Sequence, residues 1–327
     1  MILVYWLILV NLVAFILYGY DKSCAKKNAR RIPERTLLLW AWLGGSIGAF
    51  LGMKLFHHKT LKAKFIIVPV LAVLEILICV FCLYQNYHLV TTEYEVDLGL
   101  TEDLTIVQVS DLHNQVFGAG ESALLSRIEA ASPDIIVVTG DIVDSTHTSY
   151  KIALDFIEGA VKIAPVYYVS GNHEGRLAGK KLDAFYAKMR EMGVIFLDDT
   201  YIETSDYVLA GISDASLDSY GASGTYGAYG AFDDTKPVIL LAHEPQYYEL
   251  YQNLGADLVL AGHYHGGQII IPGAGGLISP EFEWFPELYE GEHTFGDTTM
   301  IISRGLGNSI VPVRINDYPE LVVVKVK

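Results

Sequence analysis

Cysteine is scarce in this sequence and absent from most of it. All three cysteines, Cys24, Cys79 and Cys82, lie within the first 86 of the 327 residues. The rest of the chain therefore has neither a disulfide framework nor a thiolate nucleophile. Cys79 and Cys82 form a C-x-x-C pattern inside an apolar run. We expect them to pack within a membrane helix, because redox and metal chemistry require an accessible thiolate.

Basic residues are also scarce beyond the first quarter of the chain. Residues 1–86 hold ten Lys and Arg against three Asp and Glu, whereas residues 87–327 hold thirteen against thirty-five, and the net charge is −15. This division predicts a helical transmembrane domain over residues 1–86 and an acidic soluble domain over residues 87–327. An acidic domain repels a phosphate backbone, so we expect no nucleic-acid partner.

Charge is nearly missing from three apolar runs in the first domain. The first run, residues 1–20, has no charged residue, and the third, residues 65–84, has only Glu75. Both reach the roughly 20 residues that are needed to cross a bilayer. The second run, residues 36–53, is shorter and carries three glycines four residues apart, which let another helix approach closely. Glu75 is either a functional intramembrane carboxylate or a side chain paired within the helical bundle.

Basic residues flank the second run on both sides. Six Lys and Arg lie between the first and second runs, and four lie between the second and third. Since basic loops stay in the cytoplasm, both can do so only if the second run is re-entrant. The chain would then cross the cell membrane twice, with membrane lipid as a partner and the soluble domain outside the cytoplasm. Three full crossings would reverse that orientation.

Beyond residue 100 the sequence alternates short strand-like runs with amphipathic helical segments. Residues 104–109, 134–139 and 165–170 are apolar runs typical of strands buried on both faces. Six further runs follow more closely together, the last at residues 320–326. This order predicts an α/β fold with two sheets packed face to face and helices outside. A Gly-, Tyr- and Ser-rich stretch, residues 219–232, is a predicted surface loop.

Side chains that can bind metal follow several of these runs. Asp111 and His113 follow the first, Asp141 follows the second, and Asn172 and His173 follow the third. Asp111, Asp141 and Asn172 are 30 and 31 residues apart, about one strand-helix-strand unit each. Such spacing places them side by side at one edge of a parallel sheet. By the same argument, the later runs bring three more donors to that edge: His243, His263 and His265.

These oxygen and imidazole donors suit two borderline divalent ions, such as Mn, Fe or Zn, better than one tetrahedral structural zinc. Each short motif is weak alone, since a single Asp after a strand is more often a turn former than a ligand. Here the motifs D-x-H, G-D, G-N-H-E, H and G-H-x-H occur in order, each after a strand-like run. That series argues against a purely structural role, because polar groups at such positions are costly to bury.

This series resembles the calcineurin-like metallophosphoesterase superfamily over about residues 100–327. The runs GHYHGGQ (262–268), SRGLG (303–307) and PVRINDYPEL (312–321) look like its bacterial membrane-associated phosphodiesterase branch, although Tyr264 stands where that branch usually has Thr. The resemblance implies a two-sheet α/β/β/α sandwich, two divalent metal ions and hydrolysis of a phosphate ester. Residues 31–60 resemble a small bacterial membrane-domain family of unassigned function, which implies no activity.

The resemblance also implies roles for individual residues. One ion would be held by Asp111, His113, Asp141 and His265. The other would be held by Asp141, Asn172, His243 and His263. Asp141 would thus bridge the two ions, and His173 would lie at the phosphate and donate to the leaving oxygen. Arg304 either holds a phosphate oxygen or pairs with Asp317 or Glu320.

The sequence favours a membrane-anchored, binuclear metal-dependent phosphodiesterase or pyrophosphohydrolase that acts on a lipid-linked or envelope phosphate ester. A phosphomonoesterase would share every metal ligand. A transporter or channel with a nucleotide-sensing metal domain is a further alternative. Four aromatic residues follow the histidine turn: Phe282, Trp284, Phe285 and Tyr289. They either pack as a loop core or form an apolar rim that meets lipid chains.

Overall fold

The computed structural model describes residues 2–217, 235–308 and 313–327, so the predicted surface loop at 219–232 lies outside the described residues. The chain divides into two compact units, Met1–Tyr84 and Gln85–Lys327. We call them the helical unit and the sheet unit.

The helical unit is built from apolar helices. Helix α1 spans Ile2–Lys26, α2 spans Glu34–Trp40, α3 spans Ser46–Leu55, and α4 runs from Ile67 to Tyr87, past the end of the unit. A π-helical turn, Ala41–Gly45, joins α2 to α3. Three segments are long and apolar enough to cross a membrane: Tyr5–Lys26, Glu34–Leu55 and Ala63–Tyr87.

The second of these segments is a hairpin rather than a straight helix. The chain turns at Gly44, which has a φ of 93°. Beyond the turn, a Cβ on Gly48 would lie 1.9 Å from the Asn11 carbonyl oxygen, so glycine is needed for this approach to α1. A straight helix of 22 residues would separate its ends by roughly 33 Å. Here, Lys59 Nζ lies 3.0 Å from Glu34 Oε1, so both ends of Glu34–Leu55 lie together.

The sheet unit contains two six-stranded sheets. The first has the order β1-β14-β2-β3-β4-β5, in which β2 to β5 are parallel, β14 is antiparallel to β2, and β1 is parallel to β14. Its strands are β1 (Val90–Val96), β2 (Leu104–Val109), β3 (Ile135–Thr139), β4 (Val166–Val169), β5 (Ile195–Phe196) and β14 (Glu320–Val326). The predicted runs at 104–109 and 320–326 are confirmed to the residue.

The second sheet has the order β12-β13-β9-β8-β7-β6, with β13, β9, β8 and β7 parallel and an antiparallel strand at each edge. Its strands are β6 (Thr200–Glu203), β7 (Val208–Gly211), β8 (Val238–Leu241), β9 (Leu258–Ala261), β12 (Gly291–Phe295) and β13 (Thr298–Ile302). A short hairpin, β10 (Ile270–Ile271) with β11 (Gly275–Gly276), stands apart from both sheets.

Apolar side chains fill three layers of the sheet unit. Between the sheets, Ile106 and Val137 of the first pack in one cluster with Leu260 of the second. The outer face of the first sheet is covered by α5 (Ser122–Ala130), α6 (Tyr150–Ala160) and α8 (Lys180–Glu191), and α7 is a single turn, Asn172–Gly175, after β4. Helix α9 (Tyr248–Asn253) covers the outer face of the second. The predicted two-sheet α/β fold with helices outside is therefore confirmed.

Candidate metal centre

The register of the parallel strands brings the predicted site residues to one edge of the two sheets. In the first sheet, Val109 pairs with Val138 and Thr139 with Val169, so the loops after β2, β3 and β4 begin at the same level. In the second, Leu241 pairs with Leu260, which places the loops after β8 and β9 together. The predicted ligands on these loops are buried, except for the half-buried Asn172.

Asp111, His113 and His265 form the first cluster, with one ligand atom of each lying within 4.8 Å of the others. His265 Nε2 is 3.6 Å from Asp111 Oδ1, and His113 Nε2 is 3.8 Å from the same oxygen. Burial lowers the pKa of His265 well below its usual value, so this imidazole is neutral. A neutral imidazole is the form that binds a metal ion.

Asp141, His243 and His263 form the second cluster. His243 Nδ1 donates to the Thr139 carbonyl oxygen at 2.8 Å, which turns Nε2 toward Asp141. Burial opposes protonation of His243, but the Asp141 carboxylate raises its pKa well above the usual value. His243 Nε2 lies 3.2 Å from Asp141 Oδ2 and 3.2 Å from His263 Nδ1. Either a shared proton or a shared cation must hold these electron-rich atoms together.

Asp141 lies between the two clusters. Its Oδ2 is 3.5 Å from His113 Nε2 and 3.2 Å from His243 Nε2, while Oδ1 accepts the His173 backbone N–H at 2.8 Å. Burial opposes ionisation of Asp141, but the nearby His243 lowers its pKa well below the usual value. One carboxylate oxygen therefore faces a histidine from each cluster.

His173 lies beside these groups, with its ring centroid 4.5 Å from that of His113. The backbone N–H of Ser145 donates to its Nδ1 at 3.0 Å. Nδ1 is thus the acceptor, and the proton of the neutral ring is on Nε2. Burial lowers the pKa of His173 to about 4.

The backbone at the site adopts an unusual conformation. Five of the predicted ligands have φ between 44° and 72°: Asp111, His113, Asp141, His263 and His265. Non-glycine residues rarely adopt this left-handed region, and such strain clusters at functional sites. Two glycines of the site pass so close to a predicted ligand that a side chain would not fit. A Cβ on Gly262 would lie 2.4 Å from Asp111 Oδ2, and one on Gly171 would lie 2.4 Å from Asp141 Oδ1.

Several buried polar atoms of the site have no hydrogen-bond partner among the described residues. They are both ring nitrogens of His113, Nδ1 of His265 and Oδ1 of Asn172. Buried polar atoms are nearly always paired, so four orphans in one site indicate a missing ligand. Imidazole nitrogens and carboxylate or amide oxygens are donors for divalent transition ions. The residues present therefore fit divalent transition ions.

Glu174 is part of the site, although the sequence analysis gave it no role within the G-N-H-E motif. Its buried carboxylate accepts the backbone N–H groups of Asp141 at 2.9 Å, Gly171 at 3.0 Å and Val143 at 3.2 Å. Burial, followed by repulsion from Asp141, raises the pKa of Glu174 to about 8. Glu174 thus fixes the backbone that presents Asp141.

Glu281 is a second group without a predicted role. Its Oε1 lies 2.5 Å from His263 Nε2. The aromatic residues beside it are largely solvent-exposed: 71% for Phe282, 64% for Trp284 and 48% for Phe285. For these three the packed loop core is therefore wrong, and the apolar rim that meets lipid chains stays a prediction.

Of the two predicted roles for Arg304, a phosphate contact or a salt bridge, the structure shows the salt bridge. Its Nη2 lies 2.9 Å from Glu320 Oε1 and its Nε lies 3.3 Å from Glu290 Oε2. Asp317 pairs with Arg314 instead, at 3.0 Å. Arg304 is thus held by two carboxylates.

Comparison with protein families gives two matches. Residues 104–267, half of the chain, match the calcineurin-like phosphoesterase family. Residues 11–65 match a family described as a protein of unknown function, DUF1294.

Three relatives illustrate the range of similar proteins. The uncharacterized metallophosphoesterase YkuE of Bacillus subtilis is 29% identical over 75% of this chain and 88% of its own length. Phosphodiesterase YaeI of Escherichia coli is 26% identical over 67% of this chain and 81% of its own length. A Danio rerio protein named transmembrane protein with metallophosphoesterase domain is 27% identical over 68% of this chain and 53% of its own length.

Proposed function

Because the chain belongs to the calcineurin-like phosphoesterase family, we propose that it is a binuclear metal-dependent phosphodiesterase or pyrophosphohydrolase. One observation carries this proposal: the predicted ligands meet at one sheet edge, and several of their buried polar atoms have no partner in the described chain. A structural polar cluster would satisfy these atoms internally.

We assign the ligands as the family resemblance implies, and the clusters Asp111–His113–His265 and Asp141–His243–His263 are consistent with that assignment. The first ion would be held by Asp111, His113, Asp141 and His265. The second would be held by Asp141, Asn172, His243 and His263. The position of Asp141 Oδ2 between His113 and His243 supports a bridging role. Bound divalent ions would polarise the phosphoryl oxygens and lower the pKa of the attacking water.

The chain's own residues would orient the substrate and control a proton. With Nδ1 occupied by the Ser145 N–H, the His173 ring presents its proton on Nε2. We propose that this N–H donates a hydrogen bond to the leaving oxygen of the substrate and stabilises the negative charge that develops there. Glu174 would hold the Asp141 loop in place through three backbone N–H groups.

Two observations support a membrane-anchored enzyme with a lipid-linked or envelope phosphate ester as substrate. The chain has three helical segments that are long and apolar enough to cross a membrane. In addition, the exposed Phe282 and Trp284 follow closely after Glu281, which contacts His263. Aromatic side chains favour the membrane interface.

We further propose that Glu34–Leu55 is re-entrant, with two crossings and an extracytoplasmic sheet unit. The contact between Lys59 and Glu34 supports this topology, because it brings both basic loops to one end of the helical unit.

Replacement of Asp141 tests the bridge. We expect purified wild-type protein to hold two transition ions per chain, and Asp141→Ala to hold at most one. Hydrolysis of bis-p-nitrophenyl phosphate should fall by on the order of 10³, since an ion contributes several kcal/mol of charge stabilisation. Elemental analysis and steady-state rates measure the two effects. Asp183→Ala, on the exposed side of α8, is the matched control.

Near-wild-type activity of Asp141→Ala would rule out the bridge. The same preparation decides between ester classes, because a phosphodiesterase hydrolyses bis-p-nitrophenyl phosphate faster than p-nitrophenyl phosphate. The opposite preference would favour a phosphomonoesterase. The name of the Escherichia coli relative supports the diester.

A further inference from the structure

We infer that the helical unit contains a second, independent site: a pocket that binds a phosphate group. The pocket has a volume of about 420 Å³ and lies between the end of α1 and the loop after α3. Five of its ten lining residues are Lys or Arg: Lys22, Lys26, Arg31, Lys59 and Lys62. We call this the basic pocket. It shares no residue with the metal centre.

The basic pocket lies where the apolar segments end. Its lining comes from the last turns of α1, which ends at Lys26, and from residues on either side of the segment Glu34–Leu55. When apolar segments are inserted in a bilayer, their ends reach the level of the lipid headgroups. Leu61, which also lines the pocket, is 99% exposed, as expected for a side chain that meets lipid rather than protein.

Positive charge in the pocket exceeds the negative charge that could neutralise it. Asp21 pairs with Arg31 at 2.7 Å, and Glu34 pairs with Lys59 at 3.0 Å and with Lys62. Two carboxylates thus face five cationic side chains. Lys22 Nζ donates to the His57 carbonyl oxygen at 3.0 Å, and neither Lys22 nor Lys26 has an ion pair within the described chain.

Part of the lining is held by buried contacts. Asp21, which is fully buried, accepts from Arg31 and contacts His58 Nε2 at 2.6 Å, so one acid anchors two basic side chains. The Lys59 side chain is only 4% exposed, and its Nζ lies 5.5 Å from the centre of the Phe65 ring.

Backbone strain marks the same loop. His57 and Lys59 have φ values of 48° and 64°, in the left-handed region that costs energy for such residues. Strained residues of this kind persist where the surrounding structure holds them and cluster at ligand sites. The strain and the buried anchor therefore both point to a site built for a ligand.

A phosphate monoester group is the chemistry that fits this pocket. Its charge of about −1.5 to −2 matches the excess cations, and its oxygens can accept from several ammonium groups at once. A lipid headgroup such as that of phosphatidic acid carries this group, and so does soluble phosphate. Lys22 and Lys26 are the residues on which binding should depend, because carboxylates already occupy the other cations.

Binding to the full chain in detergent micelles tests this assignment. The probes are dihexanoyl phosphatidic acid, dihexanoyl phosphatidylcholine and inorganic phosphate. We expect the double variant Lys22→Gln, Lys26→Gln to bind phosphatidic acid about thirtyfold more weakly. The matched control is Lys27→Gln, Arg30→Gln, which removes the same charge from neighbouring residues outside the pocket and should change the affinity less than threefold.

All measurements are repeated in the Asp141→Ala background, which disables the metal centre without touching the basic pocket. Binding that persists there and is weakened by Lys22→Gln, Lys26→Gln belongs to the helical unit, whether or not the proposed hydrolase activity is correct. If phosphatidic acid binds and inorganic phosphate does not compete, the phosphate group that the pocket binds belongs to a lipid. If inorganic phosphate competes equally, that group is soluble phosphate; either result supports the pocket. Equal binding of phosphatidylcholine would overturn it.

Lysine acetylation of the wild-type protein provides a readout that needs no variant. Phosphatidic acid or phosphate should protect Lys22 and Lys26 by at least about fivefold relative to the neighbouring Lys27, as quantified by mass spectrometry, since acetylation requires a free amine. Equal protection of all three lysines, or equal weakening in the two double variants, would show non-specific attraction and overturn the assignment.

Discussion

Two polar clusters, one around the half-buried Glu75 of the helical unit and one at the buried metal centre of the sheet unit, differ in how their polar groups are paired. In the helical unit, Glu75 accepts from Asn11 Nδ2 at 2.7 Å, from the Ser46 N–H at 3.0 Å and hydroxyl, and from the Ile47 N–H at 3.3 Å. Ser46 and Ile47 lie at the start of α3, directly after the hairpin turn, whereas Asn11 belongs to α1. The carboxylate therefore satisfies a helix N-terminus that would otherwise have unpaired N–H groups.

The metal centre shows the opposite arrangement. His113, Asn172 and His265 are held in place by the fold, yet ring nitrogens and an amide oxygen lack partners in the described chain. Both clusters occur where the backbone is irregular. Polar groups that are hydrogen-bonded within the protein stabilise a fold, whereas buried polar groups without a partner indicate a ligand site. Of the two alternatives for Glu75, the structure favours the paired one.

Glu174 lies within the metal centre but makes contacts like those of Glu75, since it accepts three backbone N–H groups. Glu174→Ala should weaken metal binding by about a hundredfold, because a residue that orients a ligand typically contributes 10- to 100-fold in affinity. Isothermal titration with Mn²⁺ measures this effect. Glu174→Gln, which keeps one acceptor oxygen, should lie between the wild type and Glu174→Ala.

Thermal unfolding of the metal-free protein is the control for that experiment. If Glu174→Ala lowers metal-free stability while Mn²⁺ affinity stays within threefold of wild type, Glu174 belongs with Glu75 as a purely structural carboxylate. The contrast between the two units would then be weaker than the hydrogen bonds suggest.

Replacement of Glu75 addresses the other side of the comparison. Glu75→Ala leaves Asn11 and the first N–H groups of α3 unpaired and should lower the stability of the helical unit by about 2 kcal/mol, roughly thirtyfold in the unfolding equilibrium. Glu75→Gln, which still accepts hydrogen bonds, should lose about half as much. Protease susceptibility of the full chain in detergent measures this change.

Hydrolysis of bis-p-nitrophenyl phosphate by the same Glu75 variants should stay within twofold of wild type, because the sheet unit has its own core. A large loss of hydrolysis with intact proteolytic resistance would assign Glu75 a functional role and remove the distinction between the clusters.

The predictable parts of this protein are those that apolar pattern and spacing dictate. The strand at 104–109 is an uninterrupted buried run, and its pairing fixes where Asp111 lies. Strand β1, Val90–Val96, was not predicted, because its Thr and Glu side chains alternate along a sheet edge and give no apolar run. The convergence of the ligands at one sheet edge was predictable, because their spacing along the sequence matches consecutive strand-helix-strand units.

Other features depend on contacts that distant segments make. No local pattern distinguishes Glu174 from an exposed acid, since its role comes from the backbone N–H groups of another loop. The left-handed backbone at Asp111 and Asp141 was likewise unpredictable, because neither residue is glycine and tertiary contacts impose the conformation.

The smallest expected effect concerns the apolar rim. Trp284 is 64% exposed, so Trp284→Ala should change folding little and lower kcat/KM about fivefold for a lipid-linked phosphodiester in micelles. Ile195→Ala removes another exposed apolar side chain of the sheet unit and serves as the control. Hydrolysis of bis-p-nitrophenyl phosphate should be unchanged in both variants, because a soluble substrate needs no interface. An equal loss on both substrates would mean that Trp284 supports Glu281 and the metal centre rather than meeting lipid.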